Sequence, residues 1–231
     1  MKKYFDILRN CPLFDGIDGD DLSAMLGCLG ATVRRYEKKE VIFAEGDSAQ
    51  YIGIVLSGTV QVVRVDYFGN RTIVTSIAPT ELFGETFACA EVKSIPVDVV
   101  ASEDCEVLLI DCRRIVTSCS NACAFHLQMV YNLMRVVARK NLLFHQKIEI
   151  TSARTTREKL ITYLLLEAKK RGSAQFEIPY DRQELADYLE VERSGLSAEI
   201  GKLRREGFLK AERNRFTILG LNENQKPIIT R

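Results

Sequence analysis

The chain has 231 residues, of which 46% are hydrophobic and 27% charged, and its 32 Lys and Arg nearly balance 31 Asp and Glu for a formal net charge of +1. That composition is ordinary for a globular protein and excludes a disordered one; the length fits one large domain or two modest ones. No apolar run approaches the ~20 residues of a membrane span, and Lys2 and Lys3 are followed by Asp6 and Arg9 rather than by an apolar signal core, so the expected location is cytoplasmic, with no membrane partner.

The even balance hides an asymmetry. Residues 1–150 hold 16 basic and 19 acidic side chains, net −3, and residues 151–231 hold 16 and 12, net +4. A basic C-terminal part is compatible with nucleic-acid binding there. The seven cysteines are odd in number and contain no Cys-x-x-Cys pair. Outside a small secreted domain they read as reduced thiols.

Residues 4–29 read as helical, with Leu22, Met25, Leu26 and Leu29 at helical spacing. From about residue 32 the period changes to that of strands. Val41-Ile42-Phe43 runs into the turn Glu45-Gly46-Asp47, Ile52, Ile54 and Leu56 alternate, and Phe68-Gly69-Asn70-Arg71 reads as a hairpin turn. Leu82-Phe83-Gly84-Glu85 reads as a short helix after Pro79, and strands resume over Val97–Ala101 and Val107–Leu109. Short strands at this spacing predict an antiparallel barrel or sandwich. Asp111–Ser118 reads as a short helix, with Ser120 or Asn121 as the cap of a long one.

Along that long helix Leu127, Val130, Met134, Val137, Asn141, Phe144 and Ile148 are spaced alternately three and four apart, a heptad seam expected to join two copies of the chain. Asn141 is its single polar member, a device that fixes register. A second stripe, Met129, Leu133, Val136 and Leu143, is expected to pack on the β-domain. Ile150–Ala153 reads as a link to a further amphipathic helix over Thr156–Lys170.

Residues 181–219 carry the strongest pattern. Asp181 with Glu184 forms a capping box. Leu185, Ala186 and Leu189 face one way on a short helix, Glu190-Val191-Glu192 turns the chain, and a second helix buries Leu196, Ile200 and Leu203 until Gly207 stops it. Two short helices so joined make a helix-turn-helix. The outer face of the second helix holds Arg193, Ser194, Ser197, Lys202, Arg204 and Arg205. The first three are placed for base edges in the major groove, where an Arg can grip a guanine with two hydrogen bonds. A hairpin around Arg213-Asn214-Arg215 forms a wing that sets Lys210, Arg213 and Arg215 near phosphates.

In sequence order these parts resemble the Crp/Fnr family of bacterial transcription regulators. The matching stretches are Pro12-Leu13-Phe14, Ile42–Asp47, Val55–Val60, Phe83-Gly84-Glu85, Arg182–Leu189 and Leu203–Leu209. The resemblance implies an α+β architecture: an N-terminal antiparallel, jelly-roll-like β-roll that senses a small effector (1–118), a dimerisation helix and hinge (119–150) and a C-terminal winged helix-turn-helix that binds double-stranded DNA (151–231). It implies a homodimer, with RNA polymerase as a partner if the protein activates. It places the effector near Gly84, Glu85, Ile95 and Pro96 of the roll and Asn141, Phe144 and His145 of the long helix.

Departures from the family pattern limit what carries over. The Arg-Ser pair that neutralises a cyclic nucleotide's phosphate reads Ile95-Pro96 here, with Lys93-Ser94 two residues early, a shift of ~7 Å if that segment is a strand. Phe144-His145 stands where a Thr-Ser pair meets adenine, so cAMP is not the expected effector. Only Cys11 and Cys28 lie near the N-terminus, short of the roughly four thiolates an iron–sulfur cluster requires; no cofactor is assigned, and haem or a small metabolite stays open. Ser194 and Ala198 replace the Glu and Arg common in the family's recognition helix, so the usual half-site is not assumed.

Two alternatives stand beside this reading. Cys119, Cys123 and His126 fall on one helix face at spacings of four and three, a set suited to a thiophilic metal or to redox sensing. The chain is otherwise read as a ligand-binding regulatory subunit whose basic tail contacts protein. With two histidines, no nucleophile elbow and no phosphate-binding glycine loop, an enzyme is not expected.

Overall fold

The computed structural model describes residues 2–116 and 124–219. They fall into two compact units that divide between Leu142 and Leu143. No helix among the described residues is long and apolar enough to cross a membrane.

The N-terminal stretch is helical in pieces rather than in one run: single turns at Lys2–Tyr4 and Pro12–Phe14, and helices α1 (Phe5–Arg9) and α2 (Gly19–Cys28). Pro12 lacks an N–H, so it begins a new turn instead of continuing α1. Eight strands follow: β1 (Thr32–Tyr36), β2 (Val41–Phe43), β3 (Tyr51–Ser57), β4 (Val60–Val65), β5 (Arg71–Ile77), β6 (Leu82–Phe83), β7 (Asp98–Ala101) and β8 (Cys105–Asp111). They pair antiparallel into two four-stranded sheets, β1-β8-β3-β6 and β2-β7-β4-β5. The expected hairpin is present between β4 and β5, where the Asp66 carboxylate accepts the N–H groups of Phe68 (2.8 Å) and Asn70 (2.9 Å). The helix expected at 82–85 is a correction: Leu82 and Phe83 are β6, and helix α3 (Glu85–Cys89) starts only at Glu85.

Alternate side chains of the β1-β8-β3-β6 sheet enter two different cores. Val55 of β3 and Val107 and Leu109 of β8 meet Val60, Ile77 and Val99 between the sheets. Ile52, Ile54 and Leu56 of β3 and Leu108 and Ile110 of β8 point the other way, under Leu22, Met25, Met129 and Leu133. At ~1.5–3 kcal/mol for each fully buried large apolar side chain, both layers contribute strongly. Helices α4 (Cys112–Val116) and α5 (Ala124–Thr151) follow β8. The α5 stripe Met129, Leu133 and Val136 is buried on the first core, as expected, but Leu143 is 50% exposed. It lies beyond the part of α5 that packs on that core.

The second unit contains α6 (Thr156–Arg171), β9 (Gln175–Glu177), α7 (Arg182–Leu189), α8 (Arg193–Arg205), β10 (Leu209–Glu212) and β11 (Arg215–Ile218). The link before α6 is shorter than expected, because α5 runs on to Thr151 and Ile150 is buried. Both α6 and α7 begin with a full capping box, Thr155 with Glu158 and Asp181 with Glu184. Leu160, Leu164, Leu185, Leu189, Leu196, Ile200, Leu203 and Phe216 are buried. β9 was not legible in the sequence; it completes the three-stranded sheet β10-β11-β9, and Phe176 stacks on Phe216 with ring centroids 6.5 Å apart. Lys147 of α5 donates to the Tyr188 carbonyl and lies 3.5 Å from that residue's ring centroid.

Gly58, between β3 and β4, has φ +74°, and a Cβ there would stand 2.3 Å from the Asp104 carbonyl oxygen. Gly58→Ala combines a left-handed penalty with overpacking and should cost about 2–5 kcal/mol, read as a lowered midpoint in urea denaturation. A wild-type midpoint would contradict this geometry.

Candidate functional site

Two groups of residues bear on function, one in each unit. In the second unit, Leu196, Ile200 and Leu203 turn α8 inward, which leaves Arg193, Ser194, Ser197, Lys202, Arg204 and Arg205 exposed. The first turn of α8 holds no acidic residue. Glu190 takes a left-handed conformation (φ +54°) at the end of α7, forming the tight turn between the two helices, and Gly207 (φ +73°) follows the end of α8.

The wing is the β10–β11 hairpin, with Glu212 opposite Arg215 and the turn at Arg213-Asn214. Lys210, Arg213 and Arg215 are exposed. Two anchors that the sequence reading missed hold its tip. Arg182, half-buried at the start of α7, lies over the Phe216 ring and donates to the Arg213 carbonyl at 3.2 Å. Asn214 donates to the Glu177 carboxylate at 2.8 Å and to the Ile178 carbonyl at 3.2 Å.

Acidic neighbours already engage some of these cations. Lys202 pairs with Glu199 one turn earlier, and Arg215 lies 3.5 Å from Glu177. Arg157 of α6 donates to Glu206 at 3.0 Å, which depresses that carboxyl below its ordinary range. The charge presented by this face is therefore smaller than a count of Lys and Arg implies.

In the first unit the centre is Glu85, the first residue of α3. Gly84 before it has φ +79°, and a Cβ there would meet the Phe43 ring and the Tyr51 carbonyl, both at 2.9 Å, so the chain turns here only with glycine. The turn carries the Glu85 carboxylate inward, where the residue is 2% exposed. Oε1 meets the Lys140 ammonium of α5 at 2.9 Å and accepts from the Thr86 hydroxyl at 3.1 Å; Oε2 is buried without a hydrogen-bond partner. Lys140 also donates to the Leu82 carbonyl at 2.6 Å. Nothing in the periodicity of α5 marks Lys140, which falls outside both apolar stripes.

The other predicted effector residues divide. The segment around Lys93–Pro96 is a loop before β7 rather than a strand, so the two-residue shift carries no fixed displacement. Ile95 is tied to the 45–47 turn by Gly46 N–H to Ile95 O (2.9 Å) and Ile95 N–H to Asp47 O (2.8 Å), and its side chain is 3% exposed in the core between the sheets. Pro96 and Asn141 are exposed, as are Phe144 and His145, which stand on the part of α5 belonging to the second unit.

Along α5 the expected seam is largely uncovered: Leu127 is 78% exposed, Met134 63% and Ile148 60%, with Val130 and Phe144 less so. Val137 departs from the expectation, being half-buried against the first core. Asn132, fully buried, donates to the Leu13 (3.0 Å) and Asp15 (2.7 Å) carbonyls and fastens α5 to the N-terminal turns. Of the candidate metal set, Cys119 and Cys123 lie outside the described residues. His126 is buried with Nε2 3.2 Å from the Arg114 carbonyl, to which it donates. Among the described residues no three His, Cys, Asp or Glu side chains gather as a metal set.

Two family models match separate parts of the chain. Residues 33–119 match the cyclic nucleotide-binding domain and residues 158–223 the Crp-like helix-turn-helix domain. The transcriptional activator protein FnrA of Stutzerimonas stutzeri is 26% identical over 191 residues, covering 80% of this chain and 76% of the relative. The cyclic AMP receptor protein of Thermus thermophilus is 26% identical over 205 residues, covering 88% and 90%. Among solved structures, the c-di-GMP responsive regulator CLP of Xanthomonas campestris superposes with a TM-score of 0.69 at 20% identity, covering 86% of this chain and 99% of that one, a likeness of fold.

Removing Lys140 strands a buried carboxylate. Lys140→Met should cost of order 3 kcal/mol, whereas adding Glu85→Gln should recover much of the loss, because a missing partner is worse than a missing pair. A double-mutant cycle by chemical denaturation measures this, and strictly additive losses would rule out the ion pair.

Proposed function

The chain belongs to the Crp/Fnr family of transcription regulators, and we propose that it acts as a homodimer whose two winged helix-turn-helix heads read a two-fold symmetric DNA site under the control of a small effector other than cAMP. The observation that carries this reading is the face shared by α8 and the wing: all nine predicted contact residues are exposed, while the apolar side of α8 is buried. Arg193, Ser194 and Ser197 are assigned to base edges. Lys202, Arg204, Arg205, Lys210, Arg213 and Arg215 are assigned to phosphates.

The exposed apolar stripe on α5 supports the dimer. A row of Leu127, Val130, Met134, Phe144 and Ile148 in water is costly, and an identical helix packed on it removes that cost, with Asn141 setting the register. RNA polymerase is the further partner if the protein activates, as its FnrA relative is named to do.

For the effector we place the site at Gly84, Glu85, Pro96 and Asn141. Two features argue against a cyclic nucleotide. The family's phosphate-neutralising position is a buried core isoleucine, Ile95, and the Glu85 carboxylate is already matched by Lys140. The relatives named for cyclic AMP and for c-di-GMP indicate that related proteins answer to different effectors.

Selection from a random duplex pool should enrich a two-fold symmetric site with half-sites one helical turn, ~34 Å, apart. Arg193→Ala should lose ~1–3 kcal/mol of discrimination at one base pair, and Lys210→Ala should weaken all sequences alike and reduce the salt slope by about one. Identical behaviour of the two variants would refute the division into base and phosphate contacts. Met134→Glu places a charge in the seam and should shift sedimentation from dimer toward monomer; an unchanged dimer would move the interface off α5.

A further inference from the structure

Two further cysteines meet in the first unit. Cys89 is the last residue of α3 and is exposed; Cys112 is the first residue of α4 and is 5% exposed. Their sulfurs lie 3.9 Å apart in a thiol–thiol hydrogen bond. We infer that Cys89 and Cys112 are a reversible thiol–disulfide pair, oxidised by low-molecular-weight disulfides of the glutathione class.

The asymmetry of the pair gives each sulfur a role. The hydrogen bond from Cys112 holds the Cys89 thiol below its ordinary value, against partial burial and the opposing charge of Glu85, and the same contact together with burial raises the Cys112 thiol. Cys89 is thus both the accessible sulfur and the one more readily ionised, the combination that favours attack on an external disulfide. Cys11 and Cys105 are contrasting cases: both are buried, and burial pushes their thiols up to about 12 and about 11.

The chemistry closes without a metal or further reductant. The Cys89 thiolate attacks one sulfur of the small disulfide, forming a mixed disulfide and expelling one small thiolate. Cys112 then loses its proton and attacks the Cys89 sulfur, forming the internal bond and expelling the second small thiolate. In sum, two protein thiols are oxidised by two electrons, the small disulfide is reduced to two thiols, and the two protein protons end on those thiols. The sulfurs must close by about 1.9 Å, from 3.9 Å to the ~2.0 Å of a disulfide. The link joins the end of α3 to the start of α4, and so bears on the helix whose first residue is Glu85.

The test uses the full chain, fully reduced and then exposed to oxidised glutathione. Remaining thiols are capped with N-ethylmaleimide, and the protein is cut with trypsin and a protease that cleaves before aspartate. These cuts separate Cys89, in Thr72–Lys93, from Cys112, in Asp111–Arg113, and keep Cys105 apart from both. The expected product is a linked pair of these two peptides, two hydrogens lighter than the free thiols and absent after dithiothreitol. In Cys112→Ala, Cys89 should stop at the glutathione adduct; in Cys89→Ser, Cys112 should remain free. The proposal fails if oxidised wild type yields Cys112 fully capped, whether Cys89 is capped, carries glutathione or is linked to another cysteine. This measurement on the wild-type chain needs neither variant to fold and is independent of DNA binding.

Discussion

A sheet with apolar side chains on both faces has to be covered twice. In β3 and β8 successive residues enter opposite cores, so the β1-β8-β3-β6 sheet is stable only with the second sheet on one side and helices on the other. That requirement brings α5 onto the first unit through Met129, Leu133 and Val136, with Asn132 satisfying the carbonyls of the turn it meets. Once that face of α5 is fixed, Lys140 arrives one turn beyond Val136 at the buried Glu85, and the seam residues other than Val137 are left facing water. The buried ion pair and the proposed dimer surface are thus two consequences of one packing demand.

The same demand explains what could and could not be read from sequence. The heptad seam, the capping box at Asp181 and the inward face of α8 depend on neighbours three or four residues away, so local spacing displays them. Double-sided burial is harder to see, because Ile52-Gly53-Ile54-Val55-Leu56 looks like simple alternation interrupted by Val55, when Val55 serves a second core. Glu85 was found through family resemblance. Its partner Lys140 and the wing anchors Arg182 and Asn214 were not, since each acts on residues tens of positions away and none breaks a local pattern. β9 escaped for another reason: three residues with one buried side chain carry no period. The misread helix at Leu82–Glu85 shows the limit of turn signals, as Gly84 marks the start of α3 and the residues before it pair with β3.

Electrostatics divide the second unit more finely than its net charge. Glu199, Glu177 and Glu206 sit among the basic residues and engage Lys202, Arg215 and Arg157, leaving Arg193 and Ser194 at the start of α8 in a turn without acid. Such pairs near the surface are each worth little to stability, ~0–1 kcal/mol. Their consequence for the proposed DNA contacts is different in kind: a carboxylate beside a cation lowers its attraction for phosphate, whereas the base contacts proposed for Arg193 and Ser194 lie in a turn that holds no acid.

Helix α3 concentrates the first unit's chemistry in five residues. Its first residue, Glu85, is held by an ion pair from α5, and its last, Cys89, by a sulfur contact from the start of α4. A helix this short has little cohesion of its own, since it forms few internal hydrogen bonds for the entropy it gives up. Its position is set by those two attachments, by the Gly84 turn that aims it and by the packing of Phe87 and Ala88 against the two cores. The effector proposed at Glu85 and the disulfide proposed at Cys89 would therefore act on opposite ends of one short helix. Were both proposals to hold, their coupling would be reciprocal: whichever state of α3 the disulfide favoured would bind the ligand with a correspondingly altered affinity.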